Sequence, residues 1–350
     1  MRVRSRYTTA LFLSCFIVAG FAQQAAVPPP TGPDRRVWLD VVVTDKSGKP
    51  VSGLQQQDFT VLDDKQPQAI LSFRANDAPG QAAYPTQVIL LIDAVNTPFQ
   101  AVSNGRIQLE KFLRRDDGQL PVPTSLIFLT DTSAEQSLTT RDGNALAVAL
   151  NSNRGKLRII GRSQGFYGAV DRTQISINTL EKLAGAAANR PGRTLVVWVS
   201  PGWPLLSGPD AVPTEKDQES LFKTVVRLST ELRQSRVTLY DIDPLGMADA
   251  GSTQTFYYGN FLKGVSSANQ VQGGNLALQV LALQSGGRVL NSANDLVRSM
   301  TSCLLDAKVF YTLSFESPRA DHPNEYHTLQ VKMGKSRLTA RTRTGYYAQR

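Results

Sequence analysis

The spacing of apolar residues changes character twice along this chain. From Arg36 to about residue 75 apolar positions come in short runs separated by turn clusters. Val37-Trp38-Leu39-Asp40-Val41-Val42-Val43, Asp58 to Leu62 and Ala69 to Phe73 read as strands. Asp45 to Pro50 and Asp63 to Gln66 read as the turns between them. From Val309 alternation returns in Val309–Phe315, His327–Met333 and Leu338–Thr342, and the chain closes on Gly345-Tyr346-Tyr347-Ala348.

Between these flanks the apolar runs are continuous. Val88-Ile89-Leu90-Leu91-Ile92 is the clearest, ending on Asp93 with Asn96, Thr97 and Pro98 just beyond. Such a run predicts a strand buried on both faces, and Pro98 suits the first turn of a following helix. Ser125–Thr130, Arg193–Ser200 and Arg236–Tyr240 repeat the pattern, with shorter strands at Gln136–Thr139 and Gly287–Leu290. Helical spacing predicts helices over 100–115, around Leu146–Leu150, and over 175–188, 215–233, 276–283 and 295–305. Alternating strands and helices predict an α/β fold with a doubly wound, mostly parallel sheet. The flanks are each too small to close a core alone. They are expected to pair into one small β-sandwich-like domain, with the α/β domain inserted between them.

The remaining segments complete this organisation. Arg2, Arg4 and Arg6 precede an apolar stretch, Ala10 to Phe21, too short to span a membrane, and Gly20-Phe21-Ala22 offers a cleavage site. The expected boundaries are a signal peptide over 1–22, a Pro-rich linker over 23–35, a β segment over 36–75, the α/β domain over 86–305 and a second β segment over 306–350. Export to the periplasm or the extracellular space follows, with no transmembrane segment. Without the leader the 350-residue chain falls from a net charge of +9 to +6, and from two cysteines to Cys303 alone. Cys303 lies on an apolar helical stripe and reads as a core residue. Arg337, Arg341 and Arg343 alternate with smaller residues as the solvated face of a strand would. No basic run points to nucleic acid.

In an open α/β sheet, ligands bind at the carboxyl ends of the strands. That singles out Asp93, Asn96 and Thr97, whose other reading is as caps for the next helix. A rival site is Gly161-Arg162-Ser163-Gln164-Gly165, a G-x-S-x-G match. Asp241 or Asp243, then His322 or His327, follow in the order that a Ser163 hydrolase would need. Two histidines and one cysteine leave little material for a zinc site, and there is no phosphate-binding G-x-x-x-x-G-K-[ST] loop.

The arrangement resembles the von Willebrand factor type A-related proteins widespread in acidobacteria. The resemblance runs over Val41–Asp45, Pro50-Val51, Leu54, Asp58-Phe59, Leu90–Asp93 with Asn96-Thr97, Leu281-Ala282, Ser285-Gly286-Gly287 and Arg343–Ala348. It implies a type A fold more than a function; the function expected here is a non-enzymatic binding or adhesion module for an extracellular or envelope protein partner. Type A domains usually hold a divalent ion, Mg²⁺ or Mn²⁺, through Asp-x-Ser-x-Ser with a Thr and an Asp from later loops. Here Asp93 and Thr97 match the first and third ligands, Val95 replaces the first Ser, and Ser200 stands where the later Asp belongs. Thr139 or Thr140 supplies the loop hydroxyl in this reading. The expected surface is therefore a degenerate metal-ion-dependent adhesion site of Asp93, Asn96, Thr97, Thr140 and Ser200, with metal on Asp93 and Thr97. Asp241 and Asp243 read either as further cation ligands or as caps of the turn before Pro244. A secreted Ser163 hydrolase and a structural envelope protein are the alternatives.

Overall fold

The computed structural model describes residues 35–77, 85–152, 165–204, 214–246, 258–291 and 295–348. All lie in the second of two compact units, Arg35–Arg350. The expected leader, the linker up to residue 34 and Ser163 lie outside the described residues.

The chain opens with β1 (Arg36–Thr44), β2 (Phe59–Asp63), β3 (Gln66–Gln68), β4 (Ser72–Asn76) and β5 (Thr86–Asp93). There follow α1 (Phe99–Leu113), β6 (Gln119–Leu129), β7 (Ala134–Gln136), β8 (Thr140–Asp142), α2 (Gly143–Ser152), α3 (Phe166–Ala188), β9 (Arg193–Val199), α4 (Glu215–Gln234) and β10 (Val237–Ile242). The chain continues through α5 (Leu278–Gln284), β11 (Val289–Leu290), α6 (Leu296–Lys308), β12 (Phe310–Glu316), β13 (Glu325–Met333), β14 (Thr339–Arg341) and β15 (Gly345–Ala348).

The central sheet has the order β11-β10-β9-β5-β6-β7, with β8 also on β6. All neighbours are parallel except β7 and β8, which run antiparallel to β6. Counted within the sheet, this is the doubly wound order 3-2-1-4-5-6, whose switch point lies between β5 and β9. The continuous apolar runs are explained by burial on both sides. Val88, Leu90 and Ile92 pack with α1, α2 and α6, while Ile89 and Leu91 pack with α3, α4 and α5. Cys303 is fully buried in the first of these cores, and burial pushes its thiol up to about 12.

The two flanks interleave, as expected. One antiparallel sheet has the order β14-β1-β12-β4 and the other β15-β13-β2-β3. Leu39, Val41 and Val61 from the first flank share one core with Leu313, Phe315, Leu329 and Tyr346 from the second. Three details differ from the pattern. Asp64 and Lys65 take left-handed backbone and turn the chain into the extra strand β3, so β4 falls several residues later than expected. Helix α3 begins at Phe166, well before Ile175. Arg341 and Arg343 do not form a solvated face. Arg341 reaches Asp306 of α6 at 2.6 Å, and Arg343 is buried, where desolvation, reinforced by Arg233, brings its guanidinium down to about 10.

Candidate functional site

Strand β5 ends at Asp93, and the next residues turn back tightly over it. The Oδ1 atom accepts from the backbone N–H of Val95 and of Asn96, both at 2.9 Å. Oδ2 accepts from Asn96 Nδ2 at 2.8 Å and from Trp198 Nε1 at 2.9 Å. Asp93 thus caps its own turn, an Asx-type arrangement. It does not cap α1, whose N-cap is Pro98 with no side-chain capping bond. A carboxylate has about four acceptor positions, and all four here are taken by N–H donors.

Asn96 reaches across to α3, donating to Ser176 Oγ at 2.9 Å. Its Oδ1 is buried with no hydrogen-bond partner, and so is Thr97 Oγ1. Ser200 sits at the end of β9, next to β5, and is fully buried. Its Oγ accepts from Gly202 N–H at 3.1 Å, fixing the turn that follows. Thr140 is not brought to this edge. It pairs with Thr124 of β6, which pairs with Val88 of β5. Val88 lies five residues before Asp93, about 16 Å along the strand at about 3.3 Å per residue. The hairpin after β6 has already carried the chain back toward the amino ends when it reaches Thr140. The hydroxyl delivered to the edge is Thr130, immediately after Leu129, the register partner of Asp93. Its Oγ1 accepts from Ser133 N–H at 3.0 Å. A polar residue directly after a buried run was the available signal for it.

Asp241 belongs to β10 rather than to the turn beyond. Its register partner is Trp198, which also pairs with Leu91. Register partners share a face, so Asp241, Trp198 and, two residues past Leu91, Asp93 project to the same side of the sheet. Asp241 is fully buried, and neither carboxylate oxygen has a hydrogen-bond partner. The Gln279 carboxamide donates to the Pro201 carbonyl at 3.1 Å and lies close enough to Asp241 to hold its carboxyl down somewhat. Burial first, then the nearby Asp243 and Asp93 carboxylates, push the Asp241 carboxyl well above the ordinary range. Asp243 caps the following turn, accepting from Leu245 N–H at 2.8 Å. Trp203, edge-on to Trp198 at 5.3 Å, buries an unpartnered Nε1 on the same side.

Three residues here present unengaged buried oxygens: Asp241, Thr97 and Asn96. All are oxygens, the donor type that suits a hard divalent ion such as Mg²⁺ or Mn²⁺. A separate group, Asp63, Asp64 and His327, lies in the β sandwich, with one potential ligand atom from each within 4.8 Å of the others. That placement commits His327 to Asp63, at 3.0 Å. The other histidine, His322, lies on an exposed turn facing the carbonyl of Pro323. Neither is seen on Asp241, one of the two acids, with Asp243, that a Ser163 hydrolase could use.

Fold and edge together define a doubly wound α/β module, joined to an interleaved β sandwich, that carries a carboxylate-rich sheet edge. No family model matches the chain, and no curated protein matches it. Solved structures are similar at low identity. An aerotolerance-related membrane protein from Bacteroides fragilis is 13% identical over 63% of this chain and 98% of its own, with a TM-score of 0.33. A manganese-loaded Plasmodium vivax TRAP protein is 12% identical over 81% and 97%, with a TM-score of 0.34. The pilus adhesin SpaC from Lactobacillus rhamnosus GG is 9% identical over 85% of this chain, which spans about half (49%) of the adhesin, with a TM-score of 0.37. Among the described residues no helix is long and apolar enough to cross a membrane.

Proposed function

We propose that this chain is an exported, non-enzymatic protein-binding module of the adhesion type. Its partner surface is the carboxyl edge of the central sheet, completed by a divalent cation, Mg²⁺ or Mn²⁺. The observation that carries the reading is Asp241. A carboxyl buried in this way keeps its proton unless a cation takes the proton's place. Here it is accompanied by two further acids and by two unengaged oxygens, on Thr97 and Asn96. In this reading Asp241, Thr97 and Asn96 hold the ion. Asp93 supplies charge and fixes Asn96 from one step behind, and Ser200 shapes the adjacent turn. An ion so held can keep a position open for a carboxylate of the partner, which points to an acidic surface on an extracellular or envelope protein.

The test is thermal unfolding of the wild type and Asp241→Asn in Mg²⁺, in Mn²⁺ and in EDTA. An ion that binds only the folded state at 100 times its dissociation constant adds about 2.7 kcal/mol. The wild-type midpoint should rise with metal, and the rise should vanish in Asp241→Asn. Capture of envelope proteins should likewise be lost in EDTA. An unchanged wild-type midpoint at saturating metal, or an equal rise in the variant, removes the cation from the edge.

A further inference from the structure

We propose that Asp63, Asp64 and His327 form a second, independent metal site, for a borderline divalent ion of the zinc class, which clips the turn after β2 to β13 in the sandwich. The backbone pairing of β2 with β13 builds it. Asp64 N–H donates to the Thr328 carbonyl at 2.9 Å, and Thr328 N–H returns a bond to Asp64 Oδ1 at 2.8 Å. That leaves Asp64 Oδ2 facing His327 Nδ1 at 3.5 Å. Asp63 is arranged in the same way. Its Oδ2 accepts from the Tyr346 hydroxyl at 2.7 Å, which also meets Ser317 Oγ at 2.7 Å, while Oδ1 faces His327 Nδ1 at 3.0 Å. Each carboxylate thus has one oxygen anchored by a donor and the other turned to the same ring nitrogen, as outer-shell bonds orient metal ligands. With bonds of about 2.0–2.1 Å, ligand atoms around a tetrahedral zinc stand about 3.3 Å apart, and both separations bracket that value.

The charge balance points the same way. Three carboxylates, Asp63, Asp64 and Glu325, surround one imidazole, and among the described residues none of the three is paired to a lysine or arginine. The unengaged atom is His327 Nε2, buried, without a hydrogen-bond partner and 3.9 Å from Glu325 Oε1. An ion at Nδ1 resolves both features. It takes the place of a proton at Nδ1, so a neutral ring shifts its single proton to Nε2 with no net release, and it neutralises two carboxylates. The imidazole, still neutral, then carries its proton on Nε2, so that atom becomes a donor facing Glu325. A mixed nitrogen and oxygen set selects zinc-class ions over Mg²⁺ and Ca²⁺, which prefer oxygen alone. Asp64, about half exposed at 51%, gives the ion its entry path and leaves a position for water.

The experiment is calorimetric titration of the purified protein with Zn²⁺ and, separately, Mg²⁺, comparing wild type with Asp64→Asn, His327→Gln and Asp241→Asn. Asparagine tolerates the left-handed backbone of position 64 and can still accept from Thr328, so Asp64→Asn keeps the fold. The expected result is one Zn²⁺ bound by wild type and equally by Asp241→Asn. Affinity falls roughly tenfold or more in Asp64→Asn and is lost in His327→Gln. Mg²⁺ gives no heat that depends on His327. Absence of Zn²⁺ binding in wild type overturns the proposal, as does binding that survives both sandwich variants. Binding lost only in Asp241→Asn assigns the ion to the sheet edge and overturns it too. Failure of the Mg²⁺ or Mn²⁺ site at Asp241 leaves these outcomes unchanged.

Discussion

The indole N–H of Trp198 donates to the carboxylate of Asp93 at 2.9 Å, and both side chains are wholly buried. Trp198 sits on β9 between Asp93 on β5 and Asp241 on β10, so one aromatic residue separates the satisfied acid from the unsatisfied one. Trp198→Phe keeps most of the packing and removes one of four donors to a buried charge. It is expected to cost about 1–3 kcal/mol, read as a lower midpoint in urea with an unchanged slope. Asp93→Ala strands four N–H groups at once and should destabilise more than Trp198→Phe.

Asp241→Asn should act in the opposite sense when no divalent ion is present. The carboxamide has the same shape and removes the cost of an acid that burial and two neighbouring carboxylates force to hold its proton far above its ordinary range. In EDTA at neutral pH the variant is expected to be more stable than wild type by about 1–3 kcal/mol, by chemical denaturation. A less stable variant in EDTA would show that the native Asp241 carboxylate is already compensated by protein groups.

The contact between sandwich and α/β layers should set part of the acid sensitivity. Asp40 of β1 receives two bonds from the Arg236 guanidinium, to Oδ1 at 2.5 Å and to Oδ2 at 3.3 Å, and one from Thr312 Oγ1 at 3.0 Å. Burial pushes the Asp40 carboxyl up, but Arg236 and then Arg193 outweigh it and hold it below its ordinary value of 3.8. A carboxyl depressed in the folded state contributes stability above its unfolded value and loses it as pH falls through the folded one. The Asp40 contribution should therefore be complete near neutrality and disappear below pH 3.8. Asp40→Asn removes the negative charge that Arg236 and Arg193 face, with an expected cost of about 3–5 kcal/mol at pH 7. The gap between variant and wild type should narrow in unfolding curves taken at progressively lower pH.

Much of this architecture was legible because burial on two faces leaves an unmistakable trace. Val88–Ile92 marks the centre of the sheet, and the alternation of β1 and β13 marks strands with one buried face, whereas β12, alternating in sequence, is buried on both. The edge itself was half legible. Asp93, Asn96 and Thr97 follow a buried run and could be placed, whereas Thr140 was misplaced because nothing in the sequence reveals that β7 and β8 double back along β6. Asp241 was hardest to place. Aspartate usually ends strands, so its position inside β10 is set by pairing with β9 and β11, a tertiary effect that overrides local preference. Arg341 and Arg343 misled for a similar reason. Their alternation is real, but the face they occupy meets α6 and α4 instead of water, which only the packing of the two layers determines.

The Ser285-Gly286-Gly287 turn between α5 and β11 supplies a last prediction, because the close approach there allows no side chain. Gly286 takes left-handed backbone at φ 92°, and an added Cβ would fall 2.7 Å from the backbone of Thr342 and Arg343. At Gly287 an added Cβ would fall 1.5 Å from the Leu239 carbonyl oxygen in the middle of β10. Ser285 completes the join: its Oγ accepts from Leu239 N–H and donates to the Ala282 carbonyl, both at 2.9 Å. The motif thus presses the end of α5 directly onto the strand that carries Asp241. Gly287→Ala cannot be relieved by a rotamer change, since the obstacle is backbone. It is expected to cost more than about 4 kcal/mol. Ser285→Ala, which removes two hydrogen bonds without adding bulk, should cost about 1–3 kcal/mol. Urea denaturation of both variants checks the order. Near-equal losses would mean that β10 can move away from α5, and that Asp241 is held less rigidly than the contact at Gly287 implies.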